Sequence, residues 1–149
     1  VAVFSNPSAA SIHIANYDKF LTSLPNDFQR GRERCDLIIT DGGRIFILGE
    51  MKDSPAIQRH RKKAKKQLLE SLDTLLEVPA ILSVAGHAEA RKCCYFNKWN
   101  GAPAFITATN AFNRLSTITS DGLRMDHPEI EARNFEFWEY LGGQILSLE

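Results

Sequence analysis

The stretch CDLIITDGGRIFILGEMK, residues 35–52, decides how this chain folds. Two runs rich in β-branched and large apolar residues, Cys35 to Thr40 and Arg44 to Met51, flank Asp41-Gly42-Gly43. Glycine tolerates the positive φ of a tight turn, so the pattern predicts a β-hairpin. Both runs are apolar on both faces, through Leu37, Ile38 and Ile39 in the first and Ile45, Phe46, Ile47 and Leu48 in the second. Strands without a polar face are covered on two sides, which places the hairpin centrally in a sheet.

Side chains alternate along a strand, so Glu50 and Lys52 leave one face while Met51 points into the opposite layer. Whether Asp36 joins them depends on the turn. With Asp41-Gly42-Gly43 as a three-residue loop, Thr40 faces Arg44, Asp36 faces Leu48, and Glu50 is the diagonal neighbour of Asp36 at roughly 7–8 Å. With a two-residue loop, Gly42-Gly43, Asp36 faces Gly49 and Glu50 turns away, because a one-residue slip inverts every side chain. A functional grouping therefore requires an odd loop or a bulge. Two carboxylates and a lysine on one face suit phosphodiester hydrolysis. That reaction needs a cation against the phosphoryl oxygens, a water made nucleophilic near neutral pH, and positive charge at the reacting group.

Upstream of the hairpin, Tyr17, Phe20, Leu21 and Leu24 recur at helical spacing, predicting a short helix over Ile14 to Leu24 that Pro25 stops. Downstream, Ser54-Pro55 offers an N-cap and a first-turn proline, and no Gly or Pro follows until Pro79. A helix of about 20 residues, roughly 30 Å long, fits that span. Leu68, Leu69, Leu72, Leu75 and Leu76 give its second half a core-facing stripe. Further strands are expected at Ala80 to Val84, Cys93 to Phe96 and Ala104 to Thr107. A last helix is expected from about Ala132 to Leu146, with Phe135, Trp138, Tyr140 and Leu141 available to pack. This order predicts an α/β layer fold with a mixed sheet, in a single domain over residues 1–149.

Asp36, the Glu50-Met51-Lys52 tripeptide fourteen residues on, and a following helix carrying Gln67 resemble the PD-(D/E)XK superfamily of restriction endonucleases, junction resolvases and RecB-type nucleases. The resemblance covers residues 36–76. It implies a restriction-endonuclease-like core, a mixed central β-sheet flanked by helices, and metal-dependent nuclease activity. Asp36 and Glu50 would hold Mg²⁺ or Mn²⁺, the backbone carbonyl of Met51 would complete the metal shell, Lys52 would orient or activate the attacking water, and Gln67 would support the site. DNA is favoured over RNA because more of that superfamily acts on DNA, and many members cut as dimers, so a homodimer is one arrangement implied. The sequence departs from the superfamily pattern at Cys35, which stands in place of a proline that many members also lack. The acid often supplied by the first helix would here be Asp18. The alternative is a non-catalytic module of the same fold that binds nucleic acid or protein.

The run from Arg59 to Lys66 sets six full positive charges in eight residues. Arg59, Arg61, Lys62, Lys63 and Lys66 are the candidates for docking a phosphate backbone, against the simpler reading of a solvated helix face. Positive charge in the first half of a helix opposes the macrodipole, so helix stability does not account for it. Overall charge is balanced, with 18 Lys+Arg and 18 Asp+Glu, so any basic surface must be local. Hydrophobic residues make up 44% and charged residues 24% of the 149, the balance of a folded protein with a core.

The three cysteines, Cys35 and the adjacent Cys93-Cys94, fit neither a disulfide framework nor a zinc knuckle, which suggests a reducing, cytoplasmic setting. No apolar run is long enough to span a bilayer, so no membrane partner is expected. The first residue is Val1 rather than Met, consistent with a processed chain or a domain of a larger protein. The four histidines lack metal-ligand spacing and read as structural. Neither Gly42-Gly43 nor Gly86-His87 has a nucleotide-loop spacing. Tyr95, Phe96 and Trp99 near Arg91, Lys92 and Lys98 could stack bases, though aromatics in an apolar strand more often belong to the core.

Overall fold

The computed structural model describes residues 2–24, 31–98, 122–142 and 144–148. Its strands are β1 (Val3–Ser5), β2 (His13–Asn16), β3 (Leu37–Thr40), β4 (Ile45–Lys52), β5 (Ala90–Asn97), β6 (Leu123–Met125), β7 (Glu136–Leu141) and β8 (Ile145–Ser147). The helices are α1 (Tyr17–Thr22), α2 (Ile57–Leu76), α3 (Pro79–His87) and α4 (Pro128–Glu131). Six strands form a mixed sheet in the order β2-β3-β4-β5-β7-β6, and β1 pairs with β8 in a separate two-stranded sheet. β4, β5 and β7 run parallel, while β2, β3 and β6 are antiparallel to their neighbours. The expected α/β class with a mixed sheet is what the chain adopts.

The apolar alternation of the hairpin sorts the core into two layers. Ile38, Phe46, Leu48, Cys93, Tyr95 and Phe137 pack with Tyr17 and Leu21 of α1, Ala64, Leu68, Leu72 and Leu75 of α2, and Ala85 of α3. Leu37, Ile39, Ile45, Ile47, Cys94, Phe96 and Tyr140 face the other way, against Phe4, Leu146 and Leu148. Burying both faces explains why neither run of the hairpin carries a polar stripe. The turn is held by Asp41, whose Oδ1 accepts the N–H groups of Gly43 (3.0 Å), Arg44 (2.8 Å) and Ile45 (2.9 Å). These donors hold its carboxyl below the usual range, and Gly42 takes the positive φ, +80°.

Four expectations about elements are corrected. Residues 80–84 lie in helix α3, not in a strand; Pro79 is pre-set for the first helical turn, and a short apolar run fits either element. The described residues between 132 and 146 form no helix. The helix there is α4, the chain turns at Asn134 (φ +61°), and Phe137, Glu139 and Trp138, Tyr140 then alternate across β7. Aromatics at period two favour a strand over a helix. The first helix starts at Tyr17, capped by the Asn16 side chain, which accepts from the Lys19 N–H at 3.0 Å. Ile14 instead pairs with Ile39 in edge strand β2 and is 56% exposed. Helix α2 has the expected 20 residues but begins at Ile57, after Ser54. Ser54 Oγ accepts from the Ala56 N–H at 3.2 Å, so its capping tendency is spent one step early. The strand expected at residues 104–107, and Trp99, lie outside the described residues.

Candidate active site

The register of the hairpin determines which side chains meet. Thr40 pairs with Phe46, Ile38 with Leu48 and Leu37 with Gly49, so five residues separate the paired strands rather than three. The number is odd, and Asp36 and Glu50 fall on one face, opposite each other when the register is carried one residue further. Asp36 is fastened on every side. Its N–H donates to the Gly49 carbonyl (2.9 Å), its carbonyl accepts from the Tyr17 N–H (3.0 Å), and its Oδ2 accepts from the Met51 N–H (2.6 Å).

Close approach at this point depends on Gly49. A Cβ there would stand 2.6 Å from Leu37 Cδ1 and 3.2 Å from Phe96 Cε2. The strand can therefore draw in beside β3 only without a side chain.

Glu50 is fully buried, at 0% exposure. The Lys52 ammonium pairs with its Oε1, while Oε2 has no hydrogen-bond partner among the described residues. Burial pushes the Glu50 carboxyl up to about 7, the negative charge of Asp36 adds to the rise, and Lys52 and Lys63 oppose it. A buried carboxylate left half-satisfied is costly, and a cation would relieve that cost. Lys52 is 25% exposed, so the pair reaches solvent on the lysine side. Beside it opens a hollow of about 470 Å³ lined by Ala2, Phe4, Met51, Lys52 and Asp53.

Gln67 lies on the buried side of α2 but does not touch these groups through a hydrogen bond. Its Nε2 donates to the Arg34 carbonyl at 2.8 Å, and its Oε1 is buried with no partner among the described residues. It thus pins the segment entering β3, two residues before Asp36. Asp18 pairs with Arg34 (2.9 Å) on an exposed surface. The strand after Lys52 is held by Asn97, whose Oδ1 accepts the Ser54 N–H (3.2 Å) and whose Nδ2 donates to the Ser54 carbonyl (2.9 Å).

The basic run divides. Arg59, Lys62, Lys63 and Lys66 are exposed and, at i, i+3, i+4 and i+7, make one stripe along α2. Lys66 lies 3.6 Å from Glu33 and 3.5 Å from Glu70. Arg61 instead turns inward to Glu139 of β7, with Nη2 to Oε1 at 2.8 Å. Sequence reading missed Glu139, because its segment looked helical. Its signal was a carboxylate in phase with Phe135 and Phe137.

Among the described residues, no group of three or more His, Cys, Asp or Glu side chains is arranged to hold a metal. Asp36 and Glu50 remain a two-carboxylate, oxygen-only donor set, the chemistry that hard cations such as Mg²⁺ and Mn²⁺ prefer, with water able to fill the other positions. The unpartnered Oε2 of Glu50 fits such an ion. Among the described residues, no helix is long and apolar enough to cross a membrane. No family model, curated protein or solved structure matches the chain.

Proposed function

We propose that this chain is a divalent-metal-dependent nuclease of the PD-(D/E)XK type, with a restriction-endonuclease-like core, acting on nucleic acid and on DNA in preference to RNA. The observation that carries the reading is the fully buried Glu50. It has one oxygen against Lys52 and one without a partner among the described residues, and Asp36 is brought to its side by the hairpin register. Stability alone does not account for such a group, since an apolar residue of similar size would cost less in the same layer.

In this proposal Asp36 and Glu50 hold Mg²⁺ or Mn²⁺, with the Met51 carbonyl as a further oxygen donor. The bound cation supplies charge against the phosphoryl oxygens and lowers the pKa of water. Lys52, tied to Glu50 and open to solvent, positions the attacking water. Gln67 acts indirectly, by fixing the chain that leads to Asp36. The Arg59, Lys62, Lys63 and Lys66 stripe lies on the helix that covers this face of the sheet, and the charge of Lys63 opposes the rise of the Glu50 carboxyl.

The test is cleavage of DNA and RNA with Mg²⁺ or Mn²⁺ by the wild type, Glu50→Gln and Lys52→Ala, each checked for folding. Metal-dependent cleavage lost in both folded variants supports the proposal. A wild type that cleaves neither polymer sinks it. A non-catalytic nucleic-acid-binding module is the second reading, favoured by the absence of a three-ligand cluster among the described residues. It predicts binding without cleavage.

A further inference from the structure

Across the helix-covered face of the sheet, Glu50 of β4 pairs in register with Tyr95 of β5, and Tyr95 with Glu139 of β7. All three side chains are essentially buried, and the three strands run parallel, with these positions in their C-terminal halves. That end of parallel strands is where open α/β sheets place ligands. Each outer glutamate carries one cation: Lys52 on Glu50, Arg61 on Glu139. The two ion pairs are separated by two interstrand steps, about 10 Å.

The Arg61 pair is built for more than neutralising Glu139. The guanidinium donates from Nε to Glu139 Oε1 (2.9 Å), lies with Nη2 2.8 Å from the same oxygen, and donates from Nη1 to Gln58 Oε1 (2.8 Å). Two of its five N–H groups thus donate hydrogen bonds and Nη2 is held against Glu139 by charge, leaving N–H groups on the terminal nitrogens to spare. Glu139 is 2% exposed while Arg61 is 16% exposed, so the pair meets solvent on the arginine side. Holding the arginine by a buried acid removes most of the side-chain entropy it would otherwise lose on gripping a ligand. A planar fork with spare N–H groups matches a phosphodiester oxygen pair.

We infer that Arg61, held by Glu139, is a phosphate-binding residue for a second backbone phosphate, a neighbour along the strand of the one at Glu50 and Lys52. The spacing follows from the about 10 Å between the two pairs. The role differs from that of the exposed stripe, whose lysines contact phosphate without fixed geometry. This inference rests on the nuclease reading for what occupies the Glu50 end, but Arg61 itself needs only a nucleic-acid chain.

Binding of labelled single-stranded DNA and RNA oligonucleotides of increasing length, by fluorescence anisotropy with Ca²⁺ as a hard cation for the carboxylates in place of Mg²⁺ or Mn²⁺, tests it. In the wild type, affinity should rise by about tenfold in one step when the chain first spans both pairs. Arg61→Lys keeps the charge opposite Glu139 and loses the fork; it and Arg61→Met should lack the step. Whichever polymer shows the step identifies the chain recognised. Folded Arg61 variants that retain the wild-type length dependence, or a wild type that shows no step with either polymer, would overturn the inference. Because no cleavage is required, a step in a protein that never cleaves supports Arg61 while removing the nuclease reading. Cleavage by a wild type without a step does the reverse.

Discussion

The carboxylate of Asp36 accepts the backbone N–H of Met51 at 2.6 Å, so the first acid of the site is fastened to the strand that carries the second. The bond and the charge of Asp36 are separable. Asp36→Asn can still accept that N–H through its amide oxygen, whereas Asp36→Ala leaves the donor without its partner. Thermal denaturation should show Asp36→Asn within about 1 kcal/mol of the wild type and Asp36→Ala lower by about 1–3 kcal/mol. Addition of Mn²⁺ should raise the wild-type Tm by mass action and leave both variants unmoved. An Asp36→Asn protein that still gains stability from Mn²⁺ would remove Asp36 from the metal set.

Glu50 should make metal-free stability fall as pH rises. Its carboxyl titrates near 7 when folded against about 4.5 in an ordinary setting, chiefly through burial. Between these values the folded protein keeps a proton that the unfolded chain has released, so stability declines from about pH 4.5 to about pH 7 and then levels off. The full difference is roughly 3 kcal/mol. Urea denaturation at about pH 5 and about pH 8 should show it, and Glu50→Gln should flatten the difference. An unchanged slope in that variant would assign the pH dependence to another group.

Much of the site was legible because the hairpin is locally determined. Two apolar runs around Asp41-Gly42-Gly43 predict the β3–β4 pair, and the alternation from Glu50 to Lys52 predicts their shared face. The loop length was not legible, since Asp41 draws the N–H groups of Gly43, Arg44 and Ile45 to one oxygen and so widens the turn to five residues. Only its odd parity mattered for bringing Asp36 to Glu50. The pairing of Arg61 with Glu139 was hidden for a different reason. It joins residues 78 apart in sequence, and only the parallel placement of β7 beside β5 brings them together.

Gly49 should tolerate no side chain. Its missing Cβ lets Leu37 and Phe96 close over the strand, and a methyl group there would meet Leu37 at 2.6 Å. Leu37 can swing only by disturbing the layer it shares with Ile39 and Ile47. Overpacking of this kind costs about 1–3 kcal/mol. Gly49→Ala should therefore lower the urea midpoint with an unchanged slope, and, by pushing β4 from β3, should weaken Mn²⁺ binding as well. A Gly49→Ala protein as stable as the wild type would show that the strands have room this structure does not reveal.

The exposed cations of α2 should not contribute equally to nucleic-acid binding. Lys62 and Lys63 make no ion pair among the described residues, whereas Lys66 is shared between Glu33 and Glu70. A lysine already paired releases fewer counterions when phosphate arrives, because it must first give up its carboxylates. Plots of log affinity against log salt should lose about 0.7–0.9 of slope for Lys62→Ala and for Lys63→Ala, and less for Lys66→Ala. Lys63→Ala should have a second effect, since that lysine helps hold the Glu50 carboxyl down. Without it the Glu50 titration should move upward, and metal-dependent activity should require a higher pH. Equal slope losses at all three positions would mean that the Lys66 ion pairs are too weak in solution to matter. A Lys63→Ala activity profile unmoved along the pH axis would separate the stripe from the site.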